Sequence, residues 1–134
     1  MATAVKICGI TRLEDALAAA RAGAIAIGLV FYAASPRCVT LAKAAEIIRA
    51  LPPFITTVGL FVNASADEVR AALAEVPVEL LQFHGEETPE FCRQFGRPYV
   101  KAVRVGPGVD LLQYVRAYHD AKALLLDTFV EGLQ

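Results

Sequence analysis

Six short runs rich in apolar and β-branched residues punctuate this chain, and amphipathic stretches separate them. The runs are Ala4–Cys8, Ile25–Phe31, Thr56–Val62, Val78–Phe83, Tyr99–Val105 and Ala123–Asp127. Between them lie Leu13–Ala22, Leu41–Ala50, Ala66–Glu75, Pro89–Phe95 and Val109–Tyr118. The last has Val109, Leu112 and Val115 at helical spacing, with Asp110, Gln113 and Arg116 between them. Strand starts recur roughly every 20 to 30 residues, so the repeating unit is one strand followed by one helix. That alternation forces parallel strands with helices packed outside them.

Local signals agree with the alternation. Thr11 with Glu14 and Ser65 with Glu68 each have the spacing of a capping box, and Thr88-Pro89 puts proline at a first helical position. Gly23 and Gly96 are placed to stop helices. Two architectures use such a repeat: an open doubly wound sheet and a closed eight-stranded barrel. A length of 134 residues favours the open sheet, since a barrel needs eight strands and at least about 200 residues. The loops argue the other way. An open nucleotide-binding sheet carries a glycine-rich phosphate loop after its first strand. Here that position reads "CGITRLED", and the one GxG, Gly106-Pro107-Gly108, follows the fifth strand.

Composition narrows the function classes. Thirteen basic and fourteen acidic residues give a net charge of −1, with no block of like charge for a nucleic-acid groove or a membrane surface. Although 56% of residues are hydrophobic, no run approaches the roughly 18 apolar residues of a membrane span. The start, "MATAVKICGI", lacks the pattern of a secretory signal. Cys8, Cys38 and Cys92 lie far apart, and with only His84 and His119 beside them no zinc spacing can be assembled. Free thiols in a cytoplasmic protein are expected, with Cys38 and Cys92 structural.

In both architectures functional groups collect at the carboxyl ends of the strands. Those ends carry Cys8, Asn63, His84, Arg104 and Asp127, and the loop after the second strand carries Arg37. Each has a plain alternative: Cys8 as a small core residue, Asp127 as a turn cap, Arg37 as a surface arginine, His84 as a donor to a loop carbonyl. Glu86 and Glu87 read as the start of a solvated loop and helix. Asp127 ends the apolar run "LLLD", where a raised carboxyl pKa is expected. Lys6 and Cys8 are two apart and share a strand face. The ammonium would either favour the thiolate of Cys8 or, in a barrel, pair with a carboxylate inside it.

Together these residues resemble the phosphoribosylanthranilate isomerase family of tryptophan biosynthesis. The resemblance rests on "KICGIT" (Lys6–Thr11), "GLVFYAASPR" (Gly28–Arg37), "VGLFVN" (Val58–Asn63), "LQFHGEE" (Leu81–Glu87) and "LLLDT" (Leu124–Thr128). It implies a parallel (β/α)8 barrel, of which this chain supplies about six strands and five helices as a single, C-terminally incomplete domain over 1–134. It implies an Amadori rearrangement of N-(5-phosphoribosyl)anthranilate without metal or cofactor. By position, Cys8 would be the general base, Asp127 the general acid and Arg37 the ligand of the anthranilate carboxylate. Lys6, Asn63 and His84 are expected among the substrate-binding residues. The small-molecule substrate is the expected partner, with no nucleic acid and no membrane. A complementing C-terminal segment, a partner chain or self-association would supply the absent strands. The rival readings are another phosphosugar-processing barrel enzyme and an inactive fragment that binds a partner chain.

Overall fold

A computed structural model describes residues 2–128; the outermost residues of the expected 1–134 domain lie outside them. Six strands alternate with five helices. The strands are β1 (Lys6–Cys8), β2 (Ala26–Val30), β3 (Thr56–Phe61), β4 (Leu80–Phe83), β5 (Tyr99–Val105) and β6 (Ala123–Thr128). The helices are α1 (Leu13–Arg21), α2 (Leu41–Ala50), α3 (Ala66–Glu75), α4 (Pro89–Arg93) and α5 (Leu111–Ala117).

All neighbouring strands pair in parallel, in the order of the sequence from β1 to β6. Strand residues alternate between the two faces of this sheet. One set, including Ile27, Leu29, Phe61, Leu81 and Phe83, packs beneath the helices with Ala44, Ile47, Val69 and Cys92. The other set, including Lys6, Cys8, Leu60, Gln82 and Asp127, faces a cavity. Since residues of both β1 and β6 line that cavity, the sheet curls and brings its two terminal strands to opposite sides of one hollow.

Beneath the tip of β4 the core is aromatic. The Phe83 ring lies 5.8 Å from Phe91, 5.9 Å from Phe95 and 6.0 Å from Tyr99. The buried Phe83, Phe95 and Tyr99 rings and the half-buried Phe91 ring, in tilted and edge contact, hold the strand end firmly.

The helix boundaries follow the capping chemistry closely. Ser65 and Glu68 form the expected reciprocal box at α3, and Thr88 caps α4 ahead of Pro89. Substituting such a cap by alanine costs about 1 kcal/mol. The expected box at Thr11 does not form. Arg12 takes the N-cap position of α1 without a side-chain cap bond, and its guanidinium grips Asp15 instead. The stripe at the fifth helix also differs from expectation. Asp110 caps α5 through Leu112 N, and Leu112 and Val115 are 63% and 52% exposed, because no described element packs over them.

Candidate active site

Cys8 ends β1 on the cavity side. Its register partner on β2 is Gly28, where a Cβ would sit 3.0 Å from Cys8 Sγ and 3.3 Å from its Cα. The absence of a side chain at Gly28 therefore makes room for the thiol. Lys6 lines the same cavity two residues below, as the shared strand face requires.

Arg37 reaches this corner from the loop after β2. Its Nη1 donates to Cys8 O at 3.0 Å, and its side chain crosses Gly9, where any Cβ would collide with the guanidinium. Gly9 also has φ +84°, a conformation that favours glycine. One bond to Cys8 O occupies one of five guanidinium donors, which leaves the rest of the fork available.

Across the cavity, His84 and Asp127 are bonded to one another, with Nε2 3.0 Å from Oδ2. Gln82 Nε2 lies 3.0 Å from His84 Nδ1. With the amide assigned as donor there, the imidazole proton resides on Nε2 and is given to the carboxylate. Thr128 N donates to the other carboxylate oxygen at 2.9 Å.

This arrangement corrects the expectation for Asp127. The hydrogen bond from His84 holds its carboxyl below the usual carboxylate range and outweighs the partial burial that would raise it. Arg104, its register partner on β5, lowers it further by its charge. The sequence shows a carboxylate closing an apolar run, but its polar partners include His84, just after β4, and Arg104 on β5.

Five of the six expected site residues (Lys6, Cys8, Arg37, His84 and Asp127) line one cavity of about 740 Å³. Pockets for small ligands are typically about 300–1,000 Å³. Asn63 is not among the lining residues. Its carboxamide instead accepts from Glu86 N at 2.7 Å, and its φ of 51° turns the chain away at the end of β3. Glu87 is likewise not solvated: its side chain is 2% exposed and faces the buried Lys101. Sequence reasoning did not single out Gln82 or Tyr32, which also line the cavity. Gln82 had one available signal, a polar residue two before His84 and thus on the same strand face.

Cys38 is exposed rather than structural, whereas Cys92 is buried as expected. Burial, with a contribution from the nearby Glu87 charge, pushes the Cys92 thiol up to about 12. Among the described residues, no group of three or more His, Cys, Asp and Glu side chains could hold a metal ion. No described helix is long and apolar enough to cross a membrane.

Residues 5–132 match the family model of N-(5'-phosphoribosyl)anthranilate (PRA) isomerase. The chain belongs to the phosphoribosylanthranilate isomerase family. It is 61% identical over 129 residues to the N-(5'-phosphoribosyl)anthranilate isomerase of Alcanivorax borkumensis, covering 96% of this chain and 59% of that protein. Against the isomerase of Pseudomonas syringae pv. tomato it is 63% identical over 128 residues, covering 96% of this chain and 62% of the relative. The chain thus spans about three fifths of the length of these relatives.

Solved phosphoribosylanthranilate isomerases have the same architecture. The Thermotoga maritima enzyme superposes with a TM-score of 0.90 at 38% identity, over 98% of this chain and 64% of the other. A second, in complex with reduced 1-(o-carboxyphenylamino)-1-deoxyribulose 5-phosphate, gives 0.87 at 40% identity, over 96% of this chain and 66% of the other.

Proposed function

We propose that the site isomerises N-(5-phosphoribosyl)anthranilate to the corresponding 1-deoxyribulose aminoketose, with Cys8 as general base and Asp127 as general acid. The observation that carries this reading is that Cys8 on β1 and Asp127 on β6 line one cavity. Family membership and the product-like ligand of a structural relative support it. An aldose-ketose rearrangement requires one proton donor and one proton acceptor on either side of the sugar.

In the proposed sequence Asp127 gives a proton to the furanose ring oxygen, and the bond from that oxygen to the anomeric carbon breaks. The amine nitrogen supplies the electron pair and becomes a protonated Schiff base. Cys8, acting as the base, removes the proton from the adjacent carbon to leave an enolamine. Protonation at the former anomeric carbon, with loss of the proton from the enol hydroxyl, then yields the ketone. For Asp127 to donate, its carboxyl must rise from the value that His84 imposes. Substrate covering a side chain that is 45% exposed removes water from it, and desolvation raises a carboxyl. Arg37 holds the anthranilate carboxylate with its free donors, a geometry suited to two parallel hydrogen bonds.

The complete catalyst in this reading is an eight-stranded barrel, with two further strand–helix units and the phosphate-binding loops beyond β6. Its test is a fluorescence assay of anthranilate-adduct consumption, with this chain alone and with a separately supplied C-terminal fragment of a relative. Turnover in the combined sample supports the function. A soluble, stoichiometric complex of the two pieces that leaves the adduct unchanged overturns it.

A further inference from the structure

Behind His84, on the helix side of the sheet, Lys101 and Glu87 form a buried ion pair, with Nζ 3.5 Å from Oε1 and side chains only 3% and 2% exposed. Lys101 stands between Tyr99 and Val103 on the apolar face of β5, and neither charge reaches the cavity described above. A buried ion pair is a poor source of stability compared with apolar packing of the same volume. Its hydrogen bonds indicate what it holds.

Glu87 accepts from Gly85 N at 2.8 Å and from Asn63 N at 2.9 Å. Lys101 donates to Gly85 O at 2.6 Å and to Ala102 O at 3.1 Å. Glu86 N is taken by Asn63 Oδ1, Glu87 O by the Tyr118 hydroxyl, and His84 N by Phe61 O. Every residue from His84 to Glu87 is thus fixed by its backbone, and the bonds at Gly85 and Asn63 converge on the ion pair. The side chain this loop sends into the large cavity is His84. Its ring is held at one nitrogen by Gln82 and at the other by Asp127.

We infer that Glu87 and Lys101 are positioning residues: by locking the loop from His84 to Glu87 they set the imidazole against Asp127 and so govern the acid of the reaction. The role in catalysis rests on the function proposed above, whereas the geometric claim does not. Two charges suit this task better than an apolar plug. A carboxylate can collect two backbone N–H groups from different strands while an ammonium collects carbonyls, so the loop is held in direction as well as in place.

The test reads the His84 ring N–H by nitrogen-resolved NMR in the full chain, with His119 as internal reference and Asp127→Ala as the control that removes its acceptor. In the double variant Glu87→Gln/Lys101→Met, which leaves no lone buried charge, the His84 N–H should exchange with solvent about tenfold faster or more. Amide exchange within β3 and β4 should stay at the parent rate. A folded double variant with the parent His84 rate overturns the inference, and so does an equal loosening of the β4 amides, which would mean general destabilisation. Should the double variant not fold, Glu87→Gln alone decides. It keeps the side chain's size but can no longer accept from both Gly85 N and Asn63 N, and its His84 N–H must exchange faster than in the parent for the inference to stand. Since no substrate is involved, a lack of isomerase activity would count against the function and not against this pair.

Discussion

His84 Nε2 lies 3.0 Å from Asp127 Oδ2 across 43 positions of sequence, and this contact is the leading cause that holds the carboxyl of the proposed acid low. Without ligand the carboxyl is held low, in its ionised form. The first prediction is therefore that His84→Asn raises the Asp127 carboxyl pKa, because the leading cause of its depression is removed. A carbon-detected titration of the carboxyl checks it; an unmoved midpoint would mean that His84 does not control the acid.

The same depression has a sign in stability. A carboxyl that is lower in the folded chain than in the unfolded one stabilises above the unfolded value, about 3.9 for aspartate. That contribution fades as pH falls through the folded value. It is small, since 45% of the side chain is exposed and screened. Relative to Asp127→Asn, the parent should lose its advantage only below about pH 4. Urea melts of both across that range measure it, and a loss centred near neutral pH would contradict the assignment.

Catalysis should depend on both sides of the cavity. In an active, completed enzyme Cys8→Ala and Asp127→Asn should each lower turnover by about 10²-fold or more. Gly28→Ala should act on the same side without touching the thiol chemically, because its new Cβ would press on Cys8 Sγ. Near-parent rates in either of the first two variants would remove that residue from its role.

Thiol alkylation should separate the three cysteines. Cys38 is exposed and Cys8 partly so, whereas Cys92 is buried with its thiol pushed up to about 12, and the thiolate is the species that reacts. Peptide mapping by mass spectrometry should find Cys92 modified last, and a substrate analogue should protect Cys8 but not Cys38. Early modification of Cys92 in the folded chain would contradict its burial.

Arg37→Lys should weaken binding of the anthranilate moiety by about 1–2 kcal/mol, since lysine lacks the planar fork. An analogue without the carboxylate should be nearly insensitive to the substitution. Equal losses for both ligands, measured by calorimetry, would place Arg37 in loop support through Cys8 O instead.

The alternation of strand and helix was legible because period-two and period-3.6 patterns differ over short windows, and the Ser65 box because its bonds are local. What was illegible depended on curvature. Nothing near Asp127 in sequence announces His84 as its partner, and only a curled sheet unites them. Lys101 left one trace: it stands in phase with Tyr99 and Val103, a cation on an apolar face. Its partner Glu87 looked like loop solvent-facing charge because the groups that bind it include Asn63, in the loop after β3, and Lys101 on β5. The fifth helix misled for the opposite reason, since an apolar stripe reports what a face would prefer to cover, while Leu112 and Val115 remain uncovered.

The unbroken strand order from β1 to β6 has a mechanical consequence. The proposed acid and base stand on β6 and β1, so the gap between them is the accumulated sum of five strand-to-strand rotations, each about 20–25° on average. An arc of this kind behaves like an open caliper: a slight change at any joint is magnified at the jaws, and nothing among the described residues clamps them. A ring would distribute the same disturbance around its circumference and hold the spacing. Proton transfer tolerates only tenths of an ångström, so precision at this site is a property of closure rather than of the residues that carry the chemistry.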